Sequence, residues 1–265
     1  MTIPSAAIGR VLDAIRARRP LVHNITNYVV MNTTANALLA VGASPAMVHA
    51  EAEVEEFTGI ADALVINIGT LSVPWIAAMH LAAAKARTFG KPWVLDPVGA
   101  GATRFRTDTA FALLEHRPTL IRGNGSEIVA LAGGIGAARG VDSTMGDTAS
   151  LEAAKALAAA TGSVVAVTGP VDRVTNGTAV WSCANGDVRM TRVTGLGCTL
   201  SALSAACLAV EPEPVVAALA ACAILGAAGE IAAAATEGPG SLQVAILDRL
   251  ADLDAATLEQ RAKLS

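Results

Sequence analysis

Short runs of β-branched and other apolar residues alternate along this chain with alanine-rich stretches of helical spacing. Segments 21–25, 63–68, 93–95, 119–121 and 164–167 have the length and composition of buried strands. Segments 28–40, 74–88, 108–115 and 151–160 have a helical pattern, and Gly42, Gly90 and Gly162 stand where three of them should stop. Strands buried on both faces and separated by helices imply a mostly parallel sheet sandwiched between two helical layers, an α/β architecture. After residue 168 the grammar changes. Segments 173–176, 178–183 and 188–193 alternate like exposed strands, with Asn176-Gly177 and Asn185-Gly186 as hairpin signals, so an antiparallel edge is expected to close the sheet. Segments 196–210, 214–235 and 241–253 complete a helical C-terminal region. With no linker or repeat, one domain over residues 1–265 is expected.

In an open parallel sheet ligands bind beyond the carboxyl ends of the strands, so the residues that follow each strand carry the functional information. Here they are Thr26-Asn27, Gly69-Thr70, Asp96-Pro97-Val98-Gly99-Ala100-Gly101, Arg122-Gly123-Asn124-Gly125-Ser126-Glu127 and Thr168-Gly169-Pro170. Thr194-Gly195-Leu196-Gly197-Cys198-Thr199 is the strongest single element. Two glycines let the backbone approach a ligand as a helix begins, and the free N–H groups of that helix end make an anion cradle. Cys198 lies in its first turn, where the helix dipole is expected to lower a thiol pKa, so a role as base, nucleophile or wall of the cradle is open. Asp96 and Glu127 are two carboxylates beside the cradle, as a Mg²⁺–phosphate complex requires, although Glu127 could instead close a local helix cap. The chain lacks the G-x-x-x-x-G-K-[ST] phosphate loop, and Gly134-Ile135-Gly136 lacks the third glycine of a dinucleotide fingerprint. His23, His49, His80 and His116 are too scattered in sequence to suggest a ligand set.

Composition narrows the function further. A net charge of −4 without a basic stretch argues against nucleic acid as a partner. The apolar fraction is 53% against 16% charged, which raises the question of membrane insertion; the long uncharged runs 193–210 and 214–229 are rich in alanine and glycine, and are expected to be buried soluble helices. The N-terminal Arg10, Asp13, Arg16, Arg18 and Arg19 leave no apolar leader, and Cys183, Cys198, Cys207 and Cys222 form no paired motif. A cytoplasmic location follows as an expectation. The apolar surplus also suggests that copies of the chain cover part of its surface.

Taken in order, His23-Asn24-Ile25-Thr26-Asn27, Gly42-Ala43-Ser44-Pro45-Ala46-Met47, Asn67-Ile68-Gly69-Thr70, the Asp96–Gly101 and Arg122–Glu127 segments, Val167-Thr168-Gly169 and Gly195-Leu196-Gly197-Cys198 closely resemble the hydroxyethylthiazole kinase family of thiamine biosynthesis, within the ribokinase-like fold. The resemblance implies ATP- and Mg²⁺-dependent phosphorylation of the primary alcohol of 4-methyl-5-(2-hydroxyethyl)thiazole. It implies that Asn24, Met47, Gly69 and Gly195 contact the thiazole, that Arg122, Asn124 and Thr168 contact ATP, that Asp96 and Glu127 hold the metal, and that Gly195, Gly197 and Cys198 form the catalytic anion hole. It further implies a homotrimer, with the Asn67–Thr70 segment of a neighbouring copy enclosing the thiazole. Cousin kinases usually carry Asp where Cys198 stands, so Cys198 favours this family over them; a hydroxymethylpyrimidine or pyridoxal kinase is the alternative enzyme, and a non-catalytic thiazole or nucleotide binder the alternative class.

Overall fold

Alternate residues of the central strands face two separate apolar layers, and this fixes the architecture. In the segment Trp93–Asp96, Val94 belongs to one buried cluster while Trp93 and Leu95 belong to the other; Leu120 and Ile121 divide in the same way, as do Val164 and Val165. The computed structural model describes residues 3–134, 136 and 146–265. Its elements run α1 (Ser5–Arg18), β1 (Leu21–Ile25), α2 (Met31–Val41), β2 (Ser44–Ala46), α3 (Val54–Ile60), β3 (Ala63–Asn67), α4 (Val73–Thr88), β4 (Trp93–Asp96), α5 (Arg104–Leu114) and β5 (Leu120–Asn124). There follow α6 (Gly125–Gly134), α7 (Gly146–Thr161), β6 (Val164–Thr168), β7 (Asp172–Thr175), β8 (Val180–Cys183), α8 (Leu196–Leu208), α9 (Pro214–Ala234), α10 (Pro239–Asp252) and α11 (Ala255–Arg261). The strands form one sheet in the order β2-β1-β3-β4-β5-β6-β7-β8, parallel from β2 to β6 and antiparallel at β7 and β8. Helices α4 to α7 pack on one face, and α1, α2, α8, α9 and α10 on the other. Mostly parallel sheet, two helical layers and antiparallel edge all match the expectation.

The hairpin at Asn176-Gly177 forms, but its loop is four residues long, since Thr175 pairs with Val180. Asn176 Oδ1 closes it by accepting from the Thr178 and Ala179 amides and the Thr178 hydroxyl. The strand expected over 188–193 is absent. That segment is a short 3₁₀ helix, Val188–Arg192, begun by the Asp187 side chain. The reason lies on its neighbours. The outer edge of β8 is already occupied by the C-terminus, through Ser182 N to Ser265 O, Ser265 N to Ser182 O and Ala184 N to Lys263 O. Asn185 is likewise spent on Glu230, the Arg261 carbonyl and the Lys263 amide. The β8 edge is therefore closed to a further strand. The short β2, α3 and α11 carry too little periodicity to be picked out from sequence, whereas α1 was overlooked although Ile8, Val11, Leu12 and Ile15 recur at helical spacing and are buried in it. Ile135, within the Gly134-Ile135-Gly136 run, lies outside the described residues.

Helix α9 is long and apolar enough by length and composition to cross a membrane, yet 83% of its most apolar window is buried inside the protein. As expected for 214–229, it is a core helix, packed on α8, α10 and α1. Gly226 shows how closely its neighbours approach: a Cβ there would lie 2.6 Å from Asn185 Cβ and 2.8 Å from the Asn185 carbonyl carbon. Replacing a mid-helix glycine by alanine ordinarily stabilises by about 1 kcal/mol. Here the clash is with backbone, which cannot rotate away, and overpacking of this kind costs about 1–3 kcal/mol. We therefore expect Gly226→Ala to lower the urea midpoint and the Tm, and an unchanged or higher Tm would show that the segment at Asn185 yields.

Candidate active site

Asp96, the last residue of β4, is fully buried and lies at the centre of a network contributed by several elements. Its Oδ2 accepts from Asn67 Nδ2 at the end of β3 (2.6 Å) and from Ser201 Oγ of α8 (2.8 Å). Its Oδ1 lies 3.6 Å from the Arg122 guanidinium of β5 and has no hydrogen-bond partner. Burial pushes the Asp96 carboxyl up, and Arg122 and the two hydrogen bonds pull it back. The network continues both ways. Asn67 Oδ1 accepts from Asn27 Nδ2, which also approaches Cys198 Sγ at 3.4 Å, and Arg122 donates to the Thr168 hydroxyl at the end of β6 at 2.7 Å. Asp96, Arg122, Thr168 and Cys198 are thus brought together from three strands and one helix start.

The α8 N-terminus sits directly on this network. Gly195 caps it with φ +82, and a Cβ there would come 2.6 Å from Val30. At Gly197 a Cβ would meet both terminal nitrogens of Arg122 at 2.7 Å, so the guanidinium lies in the space that only a glycine leaves open. A cation is therefore packed against the positive end of a helix, its Nε buried without a partner. An anion bound against both would satisfy both. This corner opens into a cavity of about 610 Å³ that includes Arg122, Thr168, Gly195 and Gly197 in its wall.

Glu127 takes the alternative that its sequence position allowed. Its Oε2 accepts from the Asn124 amide while Asn124 Oδ1 accepts from the Glu127 amide, a reciprocal cap of α6, and its Oε1 accepts from Gly99 N. It stitches the loop after β4 to the end of β5. Spare lone pairs remain on both oxygens. Among the described residues no cluster of three or more His, Cys, Asp or Glu forms a cage for a metal. The orphaned Asp96 Oδ1 with Glu127 nearby suits an ion such as Mg²⁺, which keeps waters and completes its shell with substrate phosphates.

On the opposite flank, Asn24 of β1 is buried with Nδ2 turned to the Val22 carbonyl and Oδ1 unpaired. Gly69 is explained by Asn27, whose side chain lies 2.6 Å from where a Cβ would be. Met47 is half-buried just past β2. His23 anchors that segment: its Nε2 donates to the Val48 carbonyl (2.9 Å) and its Nδ1 pairs with the Thr58 hydroxyl (3.1 Å). Burial pushes its pKa down to about 4, so the ring is neutral. His80 and His116, far apart in sequence, do meet, at 2.9 Å, on α4 and behind α5.

Sequence reasoning overlooked Ser201, Arg106 and the role of Asn67 within its own chain. Arg106 donates to the carbonyls of Ile68, Val98 and Gly69, each at 2.8 Å, and so holds the loops after β3 and β4 together. Neither it nor Ser201 sits in a glycine-rich or post-strand motif; only the fold brings them in.

The model of the hydroxyethylthiazole kinase family matches residues 12–256. The chain belongs to this family. It is 60% identical over 252 residues to the hydroxyethylthiazole kinase of Granulibacter bethesdensis, covering 95% of this chain and 92% of that one. The hydroxyethylthiazole kinase structure from Pyrococcus horikoshii superposes with a TM-score of 0.92 at 44% identity, covering 97% of this chain and 98% of that one. Pyridoxal kinase from Staphylococcus aureus shares the fold alone, with a TM-score of 0.63 at 17% identity over 80% of this chain and 88% of that one. The ribokinase-like fold expected from sequence is thereby established.

For this family member the expectation of an activated thiol fails. Burial pushes the Cys198 pKa up to about 11, and the neighbouring Asp96 adds to that, outweighing the hydrogen bonds from Asn67 and Asn27. The dipole of the helix does not rescue it. At pH 8 only about one thiol in a thousand is ionised at such a pKa, so the Cys198 thiol is neutral at the start of α8. Because a raised pKa releases thiolate only as pH increases, alkylation of Cys198 by iodoacetamide, followed by peptide mass spectrometry, should accelerate about tenfold per unit from pH 7 to pH 10. A rate that levels off below pH 8 would restore the activated thiol.

Proposed function

We propose that this site transfers the γ-phosphoryl group of ATP to the primary hydroxyl of 4-methyl-5-(2-hydroxyethyl)thiazole, giving the thiazole phosphate used in thiamine biosynthesis. The observation that carries the reading is the Arg122 guanidinium packed on the α8 N-terminus at Gly197, beside an Asp96 oxygen without a hydrogen bond. Membership of a kinase family supplies ATP as co-substrate. Arg122 and Thr168 bind the phosphates, with Asn124 at the rim of the loop that follows β5. Asp96 and Glu127 hold Mg²⁺, which when bound neutralises charge on the phosphates. Asn24, Met47, Gly69 and Gly195 border the thiazole. The alcohol oxygen attacks the γ-phosphorus, the bond to the bridging oxygen breaks and ADP leaves, while the alcohol proton is lost late, to an oxygen of the transferred phosphoryl group or to water. That transition state is loose and carries its charge on the phosphoryl oxygens, so the Gly195–Cys198 amides and Arg122 contribute more than a base would. A neutral Cys198 is consistent with this division of labour.

The same reading includes a homotrimer in the cytoplasm, each copy a single domain. Four cysteines left unpaired suit a reducing compartment. Tyr28 and Val29, exposed beside the Gly69–Thr70 turn through the bond from Tyr28 N to Thr70 Oγ1, suit a neighbour that closes the thiazole pocket. Sedimentation at assay concentration should give a trimer, and a fully active monomer would refute the shared pocket.

An ADP-release assay over thiazole, pyrimidine and pyridoxine alcohols tests the reaction, and turnover restricted to another alcohol would overturn the substrate. Asp96→Asn should lower kcat by at least about 10²-fold while leaving the KM for the thiazole within a few fold. Cys198→Ala should lose less than the roughly 10²–10⁴-fold expected on removing a general base. Losses of equal size in the two variants would return Cys198 to the role of base.

A further inference from the structure

The 610 Å³ cavity beyond Arg122 and Thr168 is apolar over much of its wall, with Val188, Met190, Leu200 and Leu225 contributing. Its few polar side chains can be accounted for one by one. Asn185 donates to Glu230 and to the Arg261 carbonyl and accepts from the Lys263 amide and the Cys183 thiol, which leaves nothing to offer a ligand. Asp187 is closed on Arg189 through both carboxylate oxygens, and the Thr191 hydroxyl donates to the Val188 carbonyl. Asp172 differs. Its Oδ1 accepts from Gly169 N at 3.1 Å, and the Cys222 thiol lies close to the carboxylate. A carboxylate has about four acceptor positions, so at least two remain. Among the described side chains of this wall, Asp172 is the acidic group with acceptor capacity to spare.

Its place along the cavity limits what those positions can meet. Asp172 opens β7, one turn beyond Thr168, is close enough to Arg122 to feel its charge, and shares the cavity wall with the apolar residues. A nucleotide with phosphates on Arg122 and its base on the apolar wall has its ribose between the two. Adjacent ribose hydroxyls are paired donors, and a carboxylate is the side chain suited to accept from both. We propose that Asp172 is the ribose-reading residue, a specificity determinant that distinguishes ribonucleotide from deoxyribonucleotide phosphoryl donors. This inference rests on the ATP reading given above.

The test compares ATP, 2′-deoxyATP, 3′-deoxyATP and 2′,3′-dideoxyATP in the wild type, Asp172→Ala and Asp172→Asn, reading KM for the nucleotide, kcat and calorimetric Kd. Hydrogen bonds to a charged group predict a KM about 10-fold to 100-fold higher for dideoxyATP than for ATP in the wild type. In Asp172→Ala the KM for ATP should rise by a comparable factor and the dideoxy penalty should shrink to less than about threefold. Because Asp172 also closes the Gly169 turn, a purely structural loss would weaken ATP and dideoxyATP alike and keep the penalty, and that result overturns the proposal. Should Asp172→Ala fail to fold, Asp172→Asn keeps an acceptor for Gly169 N and the same reduction of the penalty is required of it. A wild type that uses ATP and dideoxyATP equally also overturns the inference while leaving the kinase reading intact. A wild type that binds no nucleotide at all removes the kinase reading first.

Discussion

A carboxylate with no exposure to water has to be compensated by its surroundings, and Asp96 imposes that requirement on this fold. Its partners come from separate elements: Asn67 from β3, Arg122 from β5 and Ser201 from α8. None is near another in the chain. Each therefore depends on the parallel register that sets Asn67 opposite Asp96, and on α8 lying against that edge of the sheet. Loss of any one partner would leave buried charge or an unpaired dipole, costing a few kcal/mol. The compensation is also incomplete, because Asp96 Oδ1 and Arg122 Nε lack hydrogen bonds. Stability is satisfied on the Oδ2 side and reactivity is kept on the other.

The same division governs the α8 cradle. A guanidinium against a helix N-terminus is electrostatically unfavourable, yet Gly197 is shaped to admit it. In the reading proposed above, a polyphosphate bound against both would give each positive group a partner at once. Preorganised donors of this kind do not have to rearrange as charge develops during transfer. Arg106 serves the same end at a distance, since its bonds to Ile68, Gly69 and Val98 keep the loops after β3 and β4 from drifting apart.

What could be read from the sequence was what depends on local pattern. The strand cores, the glycine stops at Gly42 and Gly162 and the glycine turn before α8 all follow from residue-by-residue rules, and they place Asp96, Arg122, Thr168 and Cys198 on one edge. What could not be read depends on who else is nearby. Residues 188–193 alternate like a strand, but the edge they needed is held by residues 263–265. Cys198 stands at a helix N-terminus, but burial and Asp96 decide its pKa instead. Ser201 is an unremarkable helix residue until α8 turns it toward Asp96. Glu127 had two local readings, and the reciprocal bonds with Asn124 are the one that geometry makes visible.

Composition misleads in a related way. A 53% apolar chain suggests surface covered by other copies, yet much of that excess is consumed inside, where α8 and α9 are buried nearly all round. The surplus alone is therefore weak support for assembly. Better support is local: Tyr28 is 65% exposed, its ring packed on Trp75, with Val29 and Val73 exposed nearby. These side chains adjoin the turn held by Thr70, on the flank where Asn24 and Gly69 lie. An exposed apolar patch on this flank is the kind of surface another molecule covers. In the reading proposed above, a neighbouring copy seated there would both cover the patch and keep water from the reacting phosphoryl group.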